Sequence, residues 1–281
     1  MKIYDCLPYC GEDLLLKIRF ETLYKDVDKF IIIEGNRYFN GEKKSQLFDL
    51  KKFKKYEKKI KYFFIEDFPN HTGNNYDYED YQRNQISRGF ENLQDDDLIL
   101  LSDADEIPNL NNKKFLKFDS AVFLQNMYYY KFNINMSEGL KWNNKWPGTK
   151  SCRYKFFESG DKIRKFRVKN IPWWRIDRKI KRYVELDGGW HFTFLMNTKE
   201  ISKKLNRFHH EIDHLLKNKD YRINNLIDLD EIKKRVSNLK DPYNRSDVKL
   251  KKVKISSGTY CLFYDTSSSC NWRQDNSKRN Y

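Results

Sequence analysis

Short apolar runs alternate with amphipathic stretches along the first hundred residues. Lys2–Cys6 reads as a short strand, and Glu12–Tyr24 carries Leu14, Leu15, Ile18 and Leu23 near helical spacing. Phe30–Glu34 is an apolar run that ends in a carboxylate, with Gly35 turning the chain after it. Lys61–Ile65 reads as a third strand, Tyr78–Leu93 as a helix and Leu98–Ser102 as a fourth strand. Strands separated by helical patterns predict βαβ units and a largely parallel sheet. From residue 121 the pattern changes. Ala121–Phe132, Lys150–Phe157 and Lys179–Glu185 read as strands with turn residues between them, a partly antiparallel extension rich in Tyr and Trp. Residues 197–240 read as charged helix, and 265–281 as a loose tail. The expectation is an α/β fold with a mixed central sheet. One domain spans 1–240, with halves at about 1–108 and 109–240, and 241–281 forms a C-terminal extension.

The densest chemistry lies where the fourth strand ends. Leu98–Leu101 runs directly into Asp103, Asp105 and Glu106, and Pro108 stops any continuation. Carboxylates at the end of a buried strand are costly without a partner. A hard cation such as Mn²⁺ or Mg²⁺ would offset that cost. Open α/β sheets bind ligands beyond the carboxyl ends of their strands, and Glu34 ends a second strand near the same rim. A charged loop after a core strand is the competing reading. A second constellation is Asp187-Gly188-Gly189-Trp190-His191-Phe192. Its glycines allow close backbone approach, Trp190 offers a flat face to a sugar, and His191 can ligate metal or act as a base. A Gly-Gly hairpin with a core Trp and His is the alternative there. Trp146-Pro147-Gly148-Thr149 reads as a turn. Arg83 could pair with a diphosphate or with the carboxylates. His209, His210 and His214 lack the zincin pattern and are read as surface residues.

Composition adds direction. Lys+Arg 55 against Asp+Glu 40 leaves +15, which favours anionic partners. Nine lysines fall within 43–61, read chiefly as the polar face of an exposed helix and loop, with a phosphate or membrane contact as the functional alternative. Five scattered cysteines form no zinc pattern and suit a reducing compartment. Met1–Asp5 is too polar for a signal peptide, and no run reaches the length of a membrane span. A cytoplasmic location is expected, peripheral to a membrane if the basic patches act there.

The order of these pieces resembles glycosyltransferase family seventeen. The resemblance rests on Ile3-Tyr4-Asp5, Asp13–Phe20 with its Ile18-Arg19, Val27–Glu34 before Phe39-Asn40-Gly41, Gln82-Arg83-Asn84, Ser102–Pro108, Pro147-Gly148-Thr149 and Gly188–Phe192. It spans about residues 1–210. The resemblance implies a GT-A-like nucleotide-sugar-binding fold, with a nucleotide half at about 1–108 and an aromatic-rich acceptor side beyond. It also implies inverting, metal-dependent transfer from a UDP-sugar, foremost UDP-N-acetylglucosamine, to a glycan or glycolipid hydroxyl. On that reading Asp103, Asp105 and His191 hold Mn²⁺ or Mg²⁺. Glu34, Arg83, Asp103, Gly188, Gly189 and Trp190 lie along the donor, and Asp187 or Glu106 is the base. Two other classes compete. A metal-dependent phosphodiesterase or nuclease shares the acidic strand end, though no second acidic set is evident. A non-catalytic binder of nucleic acid or anionic glycan would leave that strand end without a role, and a nucleic-acid partner is disfavoured.

Overall fold

The apolar runs pair side by side in a computed structural model of the chain, which describes residues 1–38, 41–69, 77–168, 180–207 and 228–254. Strand β1 (Ile3–Pro8) lies between β2 (Lys29–Gly35) and β4 (Leu98–Leu101), parallel to both, and β3 (Ile60–Ile65) extends the parallel half beside β2. The second half turns antiparallel. β8 (Lys145–Arg153) pairs with β4 on one side and with β6 (Ser120–Tyr129) on the other. β7 (Ile134–Glu138) and β11 (Lys249–Lys252) continue outward, so the path runs β11-β7-β6-β8-β4-β1-β2-β3. Three short strands complete it. β10 (Gly189–Thr193) bridges β5 (Glu106–Pro108) and β6, while β9 (Arg182–Glu185) lies along β6. The chain is thus a mixed α/β fold on one large mixed sheet.

The strands read as continuous apolar runs because both sheet faces are covered. On one face Leu7, Phe30, Ile32, Leu98 and Leu100 pack under Leu16, Phe20 and Leu23 of helix α1 (Asp13–Leu23). On the other, Cys6, Ile31, Ile33, Ile99, Leu101 and Cys152 form a second layer. Each such side chain contributes about 1.5–3 kcal/mol when fully buried. A third cluster joins Tyr129, Tyr130 and Phe194 to Ile201 and Leu205 of α5 (Thr198–Arg207) and Ile232 of α6 (Leu229–Ser237). No helix among the described residues is long and apolar enough to cross a membrane.

Several boundaries differ from expectation. The helix expected over Tyr78–Leu93 is α2 (Asp77–Asn84) followed by a 3₁₀ turn, Gln85–Gly89. The turn ends in close approach to β2: a Cβ at Gly89 would stand 2.6 Å from the Ile31 side chain. Trp146–Thr149, expected as a turn, lies inside β8, whose register against β6 shifts between Val122 and Leu124 and so accommodates Pro147. A short helix, α3 (Lys141–Asn144), precedes β8, and a 3₁₀ turn follows it at Tyr154–Phe156. The lysine run folds as a 3₁₀ segment, Leu50–Lys59, with Phe53 and Tyr56 buried and Lys52 and Lys55 paired to Asp13 and Glu21 at 2.5 and 2.7 Å. Lys179, Phe39, Asn40, His209, His210, His214 and the tail 265–281 lie outside the described residues.

Candidate active site

The acidic turn after β4 is built from beneath by a buried ion pair. Asp5 on β1 and Arg19 on α1 are both fully buried, and the guanidinium grips the carboxylate through Nε and Nη2, each at 2.6 Å. Arg19 spends its remaining donors on the turn itself. Nη1 donates to the carbonyls of Asp103 at 3.2 Å and Glu106 at 2.9 Å, and Nη2 to Ser102 Oγ at 2.5 Å. A planar guanidinium with five fixed donors is the one side chain that can make all these bonds at once. The apolar strand brings the chain to the sheet rim, and Arg19 bends it there.

Above this floor the carboxylates divide their roles. Glu106 is buried and saturated. Arg164, at the end of α4 (Gly160–Arg164), reaches it with Nη1 at 2.6 Å and Nη2 at 2.8 Å, while Trp146 Nε1 and the Asp103 amide donate at 2.6 and 3.0 Å. Asp103 receives Arg164 Nη2 at 2.7 Å and Arg83 Nη2 at 3.2 Å. Burial alone would raise the Asp103 carboxyl, but Arg164 and Arg83 hold it well below the usual carboxylate range. Arg83 also pairs with Glu79 and Asp80, so its charge is shared. Lys150, nearly buried on β8, donates to the Arg164 carbonyl. Burial, with Arg164 and Arg83 nearby, pulls its pKa down to about 8 against the counter-pull of Glu106 and Asp103.

Asp105 faces a different partner. His191 Nε2 stands 3.5 Å from its Oδ2, and the ring packs 5.3 Å from Trp146. Burial favours neutral imidazole, but Asp105, with Glu106 and Asp103 behind it, raises the His191 pKa. Asp105 moves the opposite way, lowered by His191 against its own burial. The other ring nitrogen, His191 Nδ1, is buried without a hydrogen-bond partner. β10 delivers this histidine through its register, opposite Glu106 on β5. The preceding glycines make that pairing possible. Gly189 adopts φ +111°, and a Cβ there would lie 2.2 Å from the Ile107 carbonyl, while one at Gly188 would lie 2.4 Å from the Leu124 amide. Their close approach is to neighbouring strands, whereas approach to a ligand was expected.

The remaining expected residues fall in different places. Glu34 does end β2 on the same edge, but its carboxylate is occupied by Lys44, by the Leu47 and Phe48 amides at 2.8 and 3.0 Å, and by Tyr62 at 2.8 Å. It pins the segment after β2, an occupation different from contact with a nucleotide. The four donors on Glu106 likewise leave it no lone pair for a proton in transit. Asp187 is exposed on the turn before β10 and accepts from Asn109 at 3.0 Å. Trp190 packs its partly buried ring with Leu15, Ile18, Ile107 and Phe192. Arg164 was not identified from the sequence. It sits in a charged stretch indistinguishable from surface, and only the fold brings it to residues sixty positions earlier.

Asp105 and His191 together offer one carboxylate and one imidazole, and Asp103 stands beside them. No group of three His, Cys, Asp or Glu side chains forms a metal cage among the described residues. This donor set fits a divalent ion held by one or two protein carboxylates and completed by water and substrate phosphates, the habit of Mg²⁺.

Comparison with known proteins gives three findings. The model of glycosyltransferase family 17 matches residues 1–241. The β-1,4-mannosyl-glycoprotein 4-β-N-acetylglucosaminyltransferases of Homo sapiens and Rattus norvegicus are each 32% identical over 114 residues, covering 37% of this chain and 21% of theirs. The match thus spans about a fifth of the length of those relatives. Among solved structures, 2-C-methyl-D-erythritol 4-phosphate cytidylyltransferase of Francisella tularensis is similar at 11% identity, covering 55% of this chain and 74% of that one. Its TM-score of 0.27 is too low to carry an argument.

Proposed function

The chain belongs to glycosyltransferase family 17, and from that premise we propose that it transfers a sugar from a UDP-sugar to a hydroxyl of a glycan or glycolipid, inverting the anomeric centre on a GT-A-like fold. N-acetylglucosamine is the favoured sugar, because the two mammalian relatives are named for its transfer. The observation that carries the reading is the Asp103–Glu106 turn. It lies at the carboxyl end of a parallel strand, is fixed from below by Arg19, and faces His191 across Asp105. Ligands of open α/β sheets bind at such a rim.

Departure of UDP builds negative charge on the diphosphate, and stabilising that charge is the main catalytic demand. Asp105 and His191 would hold Mn²⁺ or Mg²⁺, completed by water and substrate phosphates, and the ion when bound supplies positive charge next to the leaving group. Arg83 and Arg164 keep Asp103 ionised and oriented. Trp146 donates its indole N–H to Glu106 and packs beside His191. The test is release of UDP from a panel of UDP-sugars with glycan and glycolipid acceptors. Acceptor-dependent release, fastest with UDP-N-acetylglucosamine, supports the proposal; no release from any UDP-sugar contradicts it.

A further inference from the structure

Trp146, Gly148 and Thr149, expected as parts of a turn, tie β8 to the acidic turn and to its partner Arg164. Trp146 Nε1 donates to Glu106 Oε1 at 2.6 Å. The Gly148 carbonyl accepts from Arg164 Nη1 at 3.3 Å, and Thr149 Oγ1 donates to the Glu106 carbonyl at 3.2 Å. Gln125 on β6 donates in turn to Thr149 Oγ1 at 3.0 Å. Trp146 makes a second contact: its ring centroid lies 5.3 Å from that of His191, with the planes 45° apart. Strand register brings the two rings together. β6 pairs with β8 on one side and β10 on the other, with Gln125 opposite Trp146 and Met127 opposite His191. Gln125 and Met127 are two residues apart, so Trp146 and His191 stand on the same face of the sheet. Glu106, opposite His191 on β5, shares that face.

A histidine that ligates a metal ion is ordinarily oriented by a hydrogen bond to its other ring nitrogen. His191 lacks that bond among the described residues. Nε2 stands 3.5 Å from Asp105 Oδ2, and Nδ1 is buried with no hydrogen-bond partner. Packing against a neighbouring ring is the other way to fix an imidazole plane. We propose that Trp146 is the positioning residue for His191, holding the ring with Nε2 toward Asp105. An indole suits this task because it carries both a broad apolar face and a directed N–H. The N–H is bonded to a carboxyl group that is itself immobilised by Arg164 and by the Asp103 amide. Trp146 is thereby anchored on Glu106 while its ring bears on His191. Glu106, which has no lone pair free for a proton, serves as that anchor. The Trp-Pro-Gly-Thr stretch, which the transfer chemistry left without a part, becomes the strut between the acidic turn and β10.

This role rests on the transferase reading and deepens it. The test is UDP affinity, measured by calorimetry across a series of Mn²⁺ concentrations, in wild type, Trp146→Ala and Trp146→Phe. Orienting partners of metal ligands are worth about 10–100-fold in metal affinity. The Mn²⁺ concentration that half-saturates the gain in UDP affinity should therefore rise about 10–100-fold in Trp146→Ala, with metal-free UDP affinity kept within about threefold of wild type. Trp146→Phe keeps a ring beside His191 but loses the anchor on Glu106, so it should fall between the two. A Mn²⁺ requirement in Trp146→Ala within about threefold of wild type overturns the assignment. An equal loss of metal-free UDP affinity also overturns it, because Trp146 is then a donor contact or a support of the whole site. Should Trp146→Ala fail to fold, Trp146→Phe decides: a raised Mn²⁺ requirement supports the role and an unchanged one overturns it. No Mn²⁺ effect on wild type contradicts the donor-site reading itself, and the role of Trp146 falls with it.

Discussion

Replacing Arg19 by Met removes the guanidinium from beneath the acidic turn and leaves a side chain of similar length. Asp5 and Arg19 are both fully buried, so Asp5 would be left in the interior without its partner. Breaking a buried pair on one side costs about 3–5 kcal/mol. The Asp103 and Glu106 carbonyls and Ser102 Oγ lose donors as well. Each buried acceptor left unsatisfied adds roughly 1 kcal/mol or more. Arg19→Met should therefore lose at least about 4 kcal/mol, a large share of the 5–15 kcal/mol typical of a domain. Urea unfolding followed by tryptophan fluorescence measures it through the midpoint and slope. The double variant Asp5→Leu/Arg19→Met removes both charges and should regain part of the loss, because the penalty belongs to the orphaned carboxylate. A loss below about 1 kcal/mol in the single variant, or no recovery in the double, would refute the view that this pair is buried and holds the turn.

Gly189→Ala should destabilise by roughly 2–3 kcal/mol, because its positive φ and the 2.2 Å approach to the Ile107 carbonyl force β5 and β10 apart; an unchanged melting temperature would contradict the assigned pairing. Lys150 gives a pH signature. With its folded pKa pulled down to about 8, the unfolded chain binds a proton that the folded chain has lost between that value and the ordinary lysine range. Stability should therefore rise with pH across that window, by up to ~3 kcal/mol. Lys150→Met should lack the rise, and parallel profiles for the two proteins would argue against a buried lysine.

The parts of the fold that were legible in the sequence are those written in local pattern. Leu98–Leu101 is apolar at every position because β4 is covered on both faces, and a run of that kind is visible without knowing its neighbours. The parallel order around β1 follows from strands separated by helical segments, and the antiparallel second half from its turn-punctuated strands. Asp103, Asp105 and His191 do come together at one rim, since two of them follow a strand and the third lies in the middle of another. What was not legible depends on which donor reaches which carboxylate. Glu34 and Asp103 look alike in sequence, each an acid after an apolar run. One is closed off by Lys44, Tyr62 and two amides, the other stays half-exposed between two arginines. Arg164 carries no local mark, because its role arises from a long-range crossing of α4 over β4 and β8. The glycines of Gly188-Gly189 were visible as points of close approach, but the sequence does not say whether a ligand or a strand approaches.

Calorimetric titration of UDP and UDP-N-acetylglucosamine into wild type and Asp105→Ala, with and without Mn²⁺, at physiological salt, bears on the donor site itself. Wild type should bind nucleotide more tightly with Mn²⁺, and Asp105→Ala should lose that metal-dependent part while still folding. No nucleotide binding in any combination, or equal Mn²⁺-dependent binding in the variant, would contradict a donor site built on the turn after β4.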